Sequence, residues 1–180
     1  MKIGIFSDTH GDLVQGNKAL EMLKDCDEII HCGDVLYHGP RNDLPKNYNP
    51  KEFAKVLSEQ ENIHYIRGNC DADVDEMVIG KNLQMKENLF FFDDIVIYGV
   101  HGYEESEEDR IKRAKEKGAR FVVSGHTHIK VLEEIDGIIV INPGSTTIPK
   151  DGSCSIAKIL ENKVELLDLE TGEVLKSLDF

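Results

Sequence analysis

Short apolar runs in this chain repeatedly end in the same way, on a glycine beside a carboxylate, an amide or an imidazole. Residues 2–6 lead into Ser7-Asp8-Thr9-His10-Gly11, and residues 28–32 (EIIHC) lead into Gly33-Asp34. Residues 63–67 (IHYIR) are followed by Gly68-Asn69, residues 95–100 (IVIYGV) by His101-Gly102, and residues 120–124 (RFVVS) by Gly125-His126-Thr127-His128. Runs this short, rich in β-branched and aromatic residues and bounded by turn residues, read as buried strands. The glycines let the backbone turn sharply at each strand end. Open α/β sheets bind ligands in the crevice outside the carboxyl ends of their strands. If these strands are roughly parallel neighbours, Asp8, His10, Asp34, Asn69, His101, His126 and His128 converge.

Between the strands the pattern is helical. Asp12 reads as the cap of a helix over 13–24, with Gln15 completing a capping box. Asn49, Pro50 and Glu52 read as N-cap, N1 and N3 of a helix over 50–60. Ser106 and Asp109 open a helix that runs to Lys117 and stops at Gly118, acidic at its start and basic at its end, as the macrodipole favours. Residues 36–50 form a polar loop carrying Pro40, Pro45 and Pro50. Residues 77–83 read as a strand or an irregular segment, and 88–92 as a strand. Past residue 128 the helices stop: 130–135 and 138–141 flank the hairpin signal Asp136-Gly137, and 153–160, 164–169 and 173–178 are further strands. The expected architecture is α/β followed by a β-meander, two packed sheets with outer helices, in one domain over residues 1–180.

Seven mixed oxygen and nitrogen ligands exceed the needs of one ion. They suit two divalent ions sharing a bridge, and a set without thiolate suits manganese, iron, zinc or a mixture. The net charge of −13 and a pI near 4.9 repel long nucleic acid outside a local site. A small phosphate ester remains compatible, because bound cations reverse the sign locally. Cys26, Cys32, Cys70 and Cys154 show no C-x-x-C spacing, which excludes a zinc ribbon or redox motif. The N-terminus turns polar after Phe6, too soon for a signal peptide, and no apolar run reaches membrane-spanning length. A cytoplasmic protein is expected. Exposed strands at the C-terminal end could pair between subunits as a homo-oligomer.

The ordered set D-x-H, G-D, G-N, H-G and G-H-x-H resembles that of the calcineurin-like metallophosphoesterase superfamily. It reads here as Asp8-Thr9-His10, Gly33-Asp34, Gly68-Asn69, His101-Gly102 and Gly125-His126-Thr127-His128, extended by Asn142-Pro143-Gly144-Ser145. Residues 34–42, Arg67-Gly68-Asn69-Cys70-Asp71 and Ile148-Pro149-Lys150 look most like the small bacterial YfcE-type phosphodiesterases. The resemblance implies a four-layer α/β/β/α sandwich of two mixed sheets flanked by helices. It implies that Asp8, His10 and His128 hold one ion, that Asn69, His101 and His126 hold the other, and that Asp34 bridges them, with manganese a common choice. It further implies hydrolysis of a small phosphodiester by a hydroxide bridging the two metals.

One departure concerns catalysis. Most of the superfamily has G-N-H-[DE], with the histidine thought to assist the leaving group, and this chain has Cys70 there. A free thiol has a pKa of about 8.5 against about 6.5 for imidazole, so it is the poorer proton donor near neutrality. That favours diesters with good leaving groups over phosphomonoesters or nucleotide-like esters. Asp71 is expected either to orient His10 or a neighbouring ligand, or to cap the Asn69 turn in solvent. Arg67, Arg41 and His38 are the candidates for substrate contact, and His31 and His64 read as structural. Ser145 reads as a residue that shapes its turn. The retromer scaffold subunit shares this fold without serving as an enzyme, so a purely structural role is the competing class. The full ligand set speaks against it.

Overall fold

The strands that end on candidate ligands are divided between two sheets. The structure, a computed structural model, describes all residues from Met1 to Phe180. The elements are β1 (Ile3–Phe6), α1 (Leu13–Leu23), β2 (Glu28–His31), α2 (Pro50–Ser58), β3 (Ile63–Tyr65), α3 (Asp73–Ile79), β4 (Glu87–Phe92) and β5 (Ile95–Val100). They continue as α4 (Glu107–Glu116), β6 (Phe121–Val123), β7 (Lys130–Ile135), β8 (Ile138–Pro143), β9 (Ser155–Ile159), β10 (Lys163–Asp168) and β11 (Val174–Asp179). One sheet has the order β11-β10-β9-β1-β2-β3 and the other β4-β5-β6-β8-β7. β1, β2 and β3 run parallel in the first, and β5, β6 and β8 run parallel in the second.

Alternation along the strands explains the layers. Ile3 and Ile5 of β1, Phe121 and Val123 of β6, and Ile139 and Ile141 of β8 belong to the core between the sheets. Their alternate neighbours face outward onto helices. Phe6 and Ile29 pack in the cluster that holds Ala19 and Leu23 of α1 and Phe53 and Leu57 of α2. Val122 and Val140 pack with Ile111 and Ala114 of α4. Both faces of these strands are therefore covered, which is why they read as continuous apolar runs. The result is the four-layer α/β/β/α sandwich expected from the sequence.

Three expectations need correction. The strands after residue 128 do not form one meander: the β7–β8 hairpin joins the second sheet, while β9, β10 and β11 extend the first beside β1. Residues 77–79 are not a strand but the last turn of α3. That helix is started by the Asp75 carboxylate accepting from Ala72 N at 2.8 Å, favoured by Asp73, Asp75 and Glu76 in its first turn, and stopped by Gly80 at φ 69°. It is short and keeps Val74, Met77 and Val78 exposed, so its apolar residues resemble a strand in sequence. Finally, Asp12 does cap α1 by accepting from Gln15 N at 3.0 Å, but the Gln15 side chain reaches Glu170 instead of returning to the cap.

α1 and α2 meet where Gly16 leaves room for the Phe53 ring. A Cβ at Gly16 would lie 2.3 Å from Phe53 Cε2, and Phe53 is fully buried. Gly16→Ala gains about 1 kcal/mol of helix propensity, but displacing a packed ring costs roughly 1–3 kcal/mol, so packing decides the sign. The variant is expected to unfold at lower urea concentration with an unchanged m-value. A higher midpoint would show that the ring yields freely.

Candidate metal centre

The carboxyl ends of the parallel strands in both sheets open onto one centre. The loops that leave them are in conformations L-residues seldom adopt. Asp8, His10, Asp34, His126 and His128 have φ between 45° and 67°; the other non-glycine residues at positive φ are Asp93 and Asp136, both in hairpin turns. Backbone strain of this kind, about 1–3 kcal/mol per residue, persists only where the surroundings over-determine it. Here those surroundings are visible. Asp8 N donates to Gly33 O, His10 N to Asp34 O and Gly11 N to Val35 O, which laces the loop after β1 to the loop after β2. Gly68 and Gly125 allow the close approach: a Cβ on the first would lie 2.2 Å from Asp34 Oδ1, and on the second 2.6 Å from Asp8 Oδ2.

The imidazoles are oriented from behind. Nδ1 of His10, His101 and His128 donates to the carbonyls of Tyr37, Cys32 and Ile148 at 2.8, 2.6 and 2.8 Å. Each Nε2 then faces the centre, where it can ligate a cation once unprotonated. His10 Nε2 and His128 Nε2 stand 3.2 Å apart, and Asp8 Oδ1 lies 3.2 Å from His128 Nε2. His101 Nε2 is 3.4 Å from Asp34 Oδ1. Asp8 Oδ2 is satisfied by Ser7 Oγ and His126 N, but Asp8 Oδ1 and His101 Nε2 are buried with no hydrogen-bond partner. An unsatisfied buried polar atom costs roughly 1–3 kcal/mol. Carboxylate oxygens and ring nitrogens brought this close, with Asp8 Oδ1 and His101 Nε2 unpartnered, fit positive charge between them. The ligand atoms form two neighbouring groups, Asp8, His10 and His128, and Asp34, His101 and His126, each within 4.8 Å. This donor set of oxygens and imidazole nitrogens fits two divalent cations.

Electrostatics agree with the geometry. Burial works against ionisation of Asp8 and Asp34, yet the neighbouring imidazoles, His128 and His101 foremost, hold both carboxylates below their usual range. Burial pushes His10 and His126 down, toward the neutral form that binds metal. His101 is held up to about 9, because Asp34 and Asp8 outweigh its burial. His31, pushed down by burial to about 3, is neutral. It accepts from Gly33 N and hydrogen-bonds Thr9 Oγ1, a structural role, as its position inside β2 suggests.

Asp71 serves the neighbouring candidate ligand Asp34 and the turn before Asn69, through their backbone and from a buried position. It does not touch His10. Its carboxylate accepts from Asp34 N at 2.9 Å, Gly68 N at 2.7 Å and Val35 N at 2.7 Å, tying the β2 and β3 loops together. Burial and the nearby Asp34 push it up to about 6 against those amides, so it is ionised at neutral pH. Cys70 lies beside the centre, within 4.8 Å of ligand atoms of His10 and Asp34, and burial with Asp34 pushes its thiol up to about 12. Cys70 N donates to Asp34 Oδ1 at 2.8 Å. Asn69 sits on the wall of the cleft, its amide donating to Cys70 Sγ.

A cleft of about 830 Å³ opens over Asp34, Asn69, His126 and His128, and Arg41 and Lys150 line it. Arg41 thus stands where substrate contact was expected, but Arg67 and His38 do not line the cleft. Arg67 donates to Asp73 at the start of α3, and His38 packs edge-on against Tyr37 and Tyr48. Ser7, which donates to Asp8 Oδ2, carries no sequence signal beyond being a polar residue after an apolar run. Ser145 braces the centre: its Oγ donates to Asp8 O and accepts from Thr147 N and Ile148 N. Asn142 holds Gly125 O in the same way.

The calcineurin-like phosphoesterase superfamily domain matches residues 1–163 of this chain. Phosphodiesterase YfcE of Escherichia coli is 33% identical over 167 residues, covering 91% of this chain and 89% of that protein. A solved structure of E. coli YfcE, a phosphoesterase, superimposes with a TM-score of 0.89 at 28% identity and covers 99% of both chains. Vps29 of Entamoeba histolytica superimposes with a TM-score of 0.70 at 18% identity, a likeness of fold alone.

Asp71→Asn replaces one acceptor oxygen with an NH₂ that must face a backbone N–H. The variant is expected to lose about 1–3 kcal/mol of stability at pH 7, read by urea unfolding of the protein treated with chelator. An unchanged midpoint would show that the three amides do not depend on the carboxylate.

Proposed function

This chain belongs to the calcineurin-like phosphoesterase superfamily, and we propose that it hydrolyses a small phosphodiester at this centre, with two divalent ions as cofactors. The observation that carries the reading is the convergence of buried ligand-type atoms, the unpartnered Asp8 Oδ1 and His101 Nε2 and the facing Nε2 atoms of His10 and His128. Asp8, His10 and His128 would hold one ion, Asn69, His101 and His126 the other, and Asp34 would touch both. Manganese is the proposed ion, with iron, zinc or a mixed pair as alternatives. When bound, the ions supply positive charge to the phosphoryl group and lower the pKa of a water to about 7.

Hydrolysis adds water across one P–O ester bond: a new P–O bond forms, the ester bond breaks, and the leaving oxygen gains a proton. The chain's own residues contribute position and charge. Arg41 and Lys150 offset the charge of the anionic substrate at the cleft. Asp71 acts indirectly, by fixing the backbone under Asp34 and Gly68. Cys70 follows Asn69, where the superfamily pattern at large has imidazole and the YfcE-type pattern has cysteine, and a thiol is the weaker proton donor near neutrality. That supports diesters with good leaving groups over phosphomonoesters and nucleotides. A surface scaffold has no use for unpartnered polar atoms and strained backbone in its interior, both of which lower stability. The same reading has one domain and no long nucleic acid partner, since the chain carries a net charge of −13. No helix is long and apolar enough to cross a membrane, and the proposed location is the cytoplasm. The free β11 edge is the proposed place for any pairing between copies.

Protein stripped with chelator and reloaded with manganese, zinc or iron is expected to bind about two ions per chain. It is expected to cleave bis(p-nitrophenyl) phosphate in preference to p-nitrophenyl phosphate. Elemental analysis and the two rate constants check this; a strong preference for the monoester, or no metal retained, overturns it. Asp34→Asn is expected to lower kcat/KM by about 100-fold or more. Cys70→His is expected to raise turnover of diesters with poor leaving groups by about tenfold or more, and no gain there would count against the missing-donor argument.

A further inference from the structure

A second concavity, of about 540 Å³, lies between α2, α3 and the loop after β2. Its volume is in the range that holds small molecules, and its lining is mostly apolar. Buried Leu36 and Ala54 line it together with Val74 and Val78, which are 54% and 47% exposed one turn apart on α3. It adjoins the cleft over the candidate metal centre, because Tyr37, Cys70 and Ala72 line both. Cys70 stands at this junction, where a thiol behaves as a small apolar side chain. Lys51 and Lys55, one turn apart on α2, line the same groove. The ion pairs of this acidic chain engage other lysines, among them Lys18, Lys86, Lys130 and Lys158, and leave these two free to face an anionic ligand.

We propose that this groove receives one ester group of the substrate, so that the enzyme selects phosphodiesters carrying an apolar ring. The inference rests on the phosphodiesterase reading above and adds the class of ester. A phosphodiester anchored in the cleft projects two ester groups. One of them can pass Tyr37, Cys70 and Ala72 and cover Val74 and Val78, which folding leaves in water. Removing apolar area from water supplies the selectivity, and the phosphate supplies the anchor. Lys51 and Lys55 add attraction for the anion at low ionic strength.

The test uses manganese-loaded protein and p-nitrophenyl phosphodiesters with a common leaving group, the other ester being methyl, phenyl or 2-naphthyl. From methyl to 2-naphthyl, kcat/KM is expected to rise on the order of tenfold or more. Val74→Gln and Val78→Gln change exposed positions without adding charge, and each is expected to shrink the naphthyl-to-methyl ratio severalfold. A second measurement does not depend on turnover. Zinc-loaded protein, which is diamagnetic, is titrated with the methyl ester of (2-naphthylmethyl)phosphonate, whose P–C bond is not hydrolysed. The amide resonances of Ala54, Val74 and Val78 are expected to shift. A flat series, a ratio insensitive to both substitutions, or unmoved resonances would overturn the groove assignment while hydrolysis still stood. Shifted resonances with no hydrolysis of any diester would sustain the groove and sink the proposed reaction.

Discussion

A carboxylate oxygen of Asp8 and the Nε2 atoms of His10, His101 and His128 point into one buried space, and much of the surrounding structure holds them there. Carbonyls of Tyr37, Cys32 and Ile148 fix three imidazoles from behind, which sets the ring orientations. Five ligand-bearing residues are kept in the left-handed region. Neither the unpartnered polar atoms nor the strained backbone favours the folded chain on its own. Their cost is borne by the packed layers on either side of the two sheets. A cation that all these atoms can share would satisfy them together.

That constraint explains features that look unrelated along the chain. Asp71 is a buried carboxylate with no role toward an imidazole, yet its three amide partners set the path of two ligand loops. Ser145 follows β8 of the second sheet and donates to the carbonyl of Asp8, after β1 of the first. Gly68 and Gly125 are small because a carboxylate occupies the volume where a Cβ would be. Each acts on the backbone under a ligand, and the ligand geometry follows from it. The acidic surface outside is no obstacle to an anionic substrate, because the cleft itself carries Arg41 and Lys150, and the proposed cations would dominate the local field.

Much of this was legible before any coordinates. The strand ends could be read from apolar runs stopping at glycine and a polar ligand type, and the α/β/β/α sandwich followed from the resemblance. Helix caps at Asp12, Asn49 and Ser106 are local signals, and the structure shows all three accepting from the expected amides. α3 was missed because its capping contact comes from Asp75 reaching back to Ala72, and its exposed valines and methionine resemble a strand. That Arg67 and His38 stand outside the cleft lining was not legible for a related reason. A loop residue's neighbourhood depends on the path the loop takes, here bringing Arg67 to Asp73 and His38 to Tyr48.

The sequence by itself determined which residue types stand at the strand ends, because hydrophobic periodicity and turn chemistry act over a few residues. It thereby determined the kind of chemistry available, oxygen and imidazole ligands without a thiolate motif. Only the tertiary structure decided that these ends, carried on two different sheets, share one space. It also decided that Asp71 serves the backbone and that an apolar groove adjoins the cleft. Those outcomes come from packing between layers and from hydrogen bonds such as Ser145 to Asp8, 137 positions apart. Contacts of that span are settled by how buried faces fit together, which no local pattern of residues encodes.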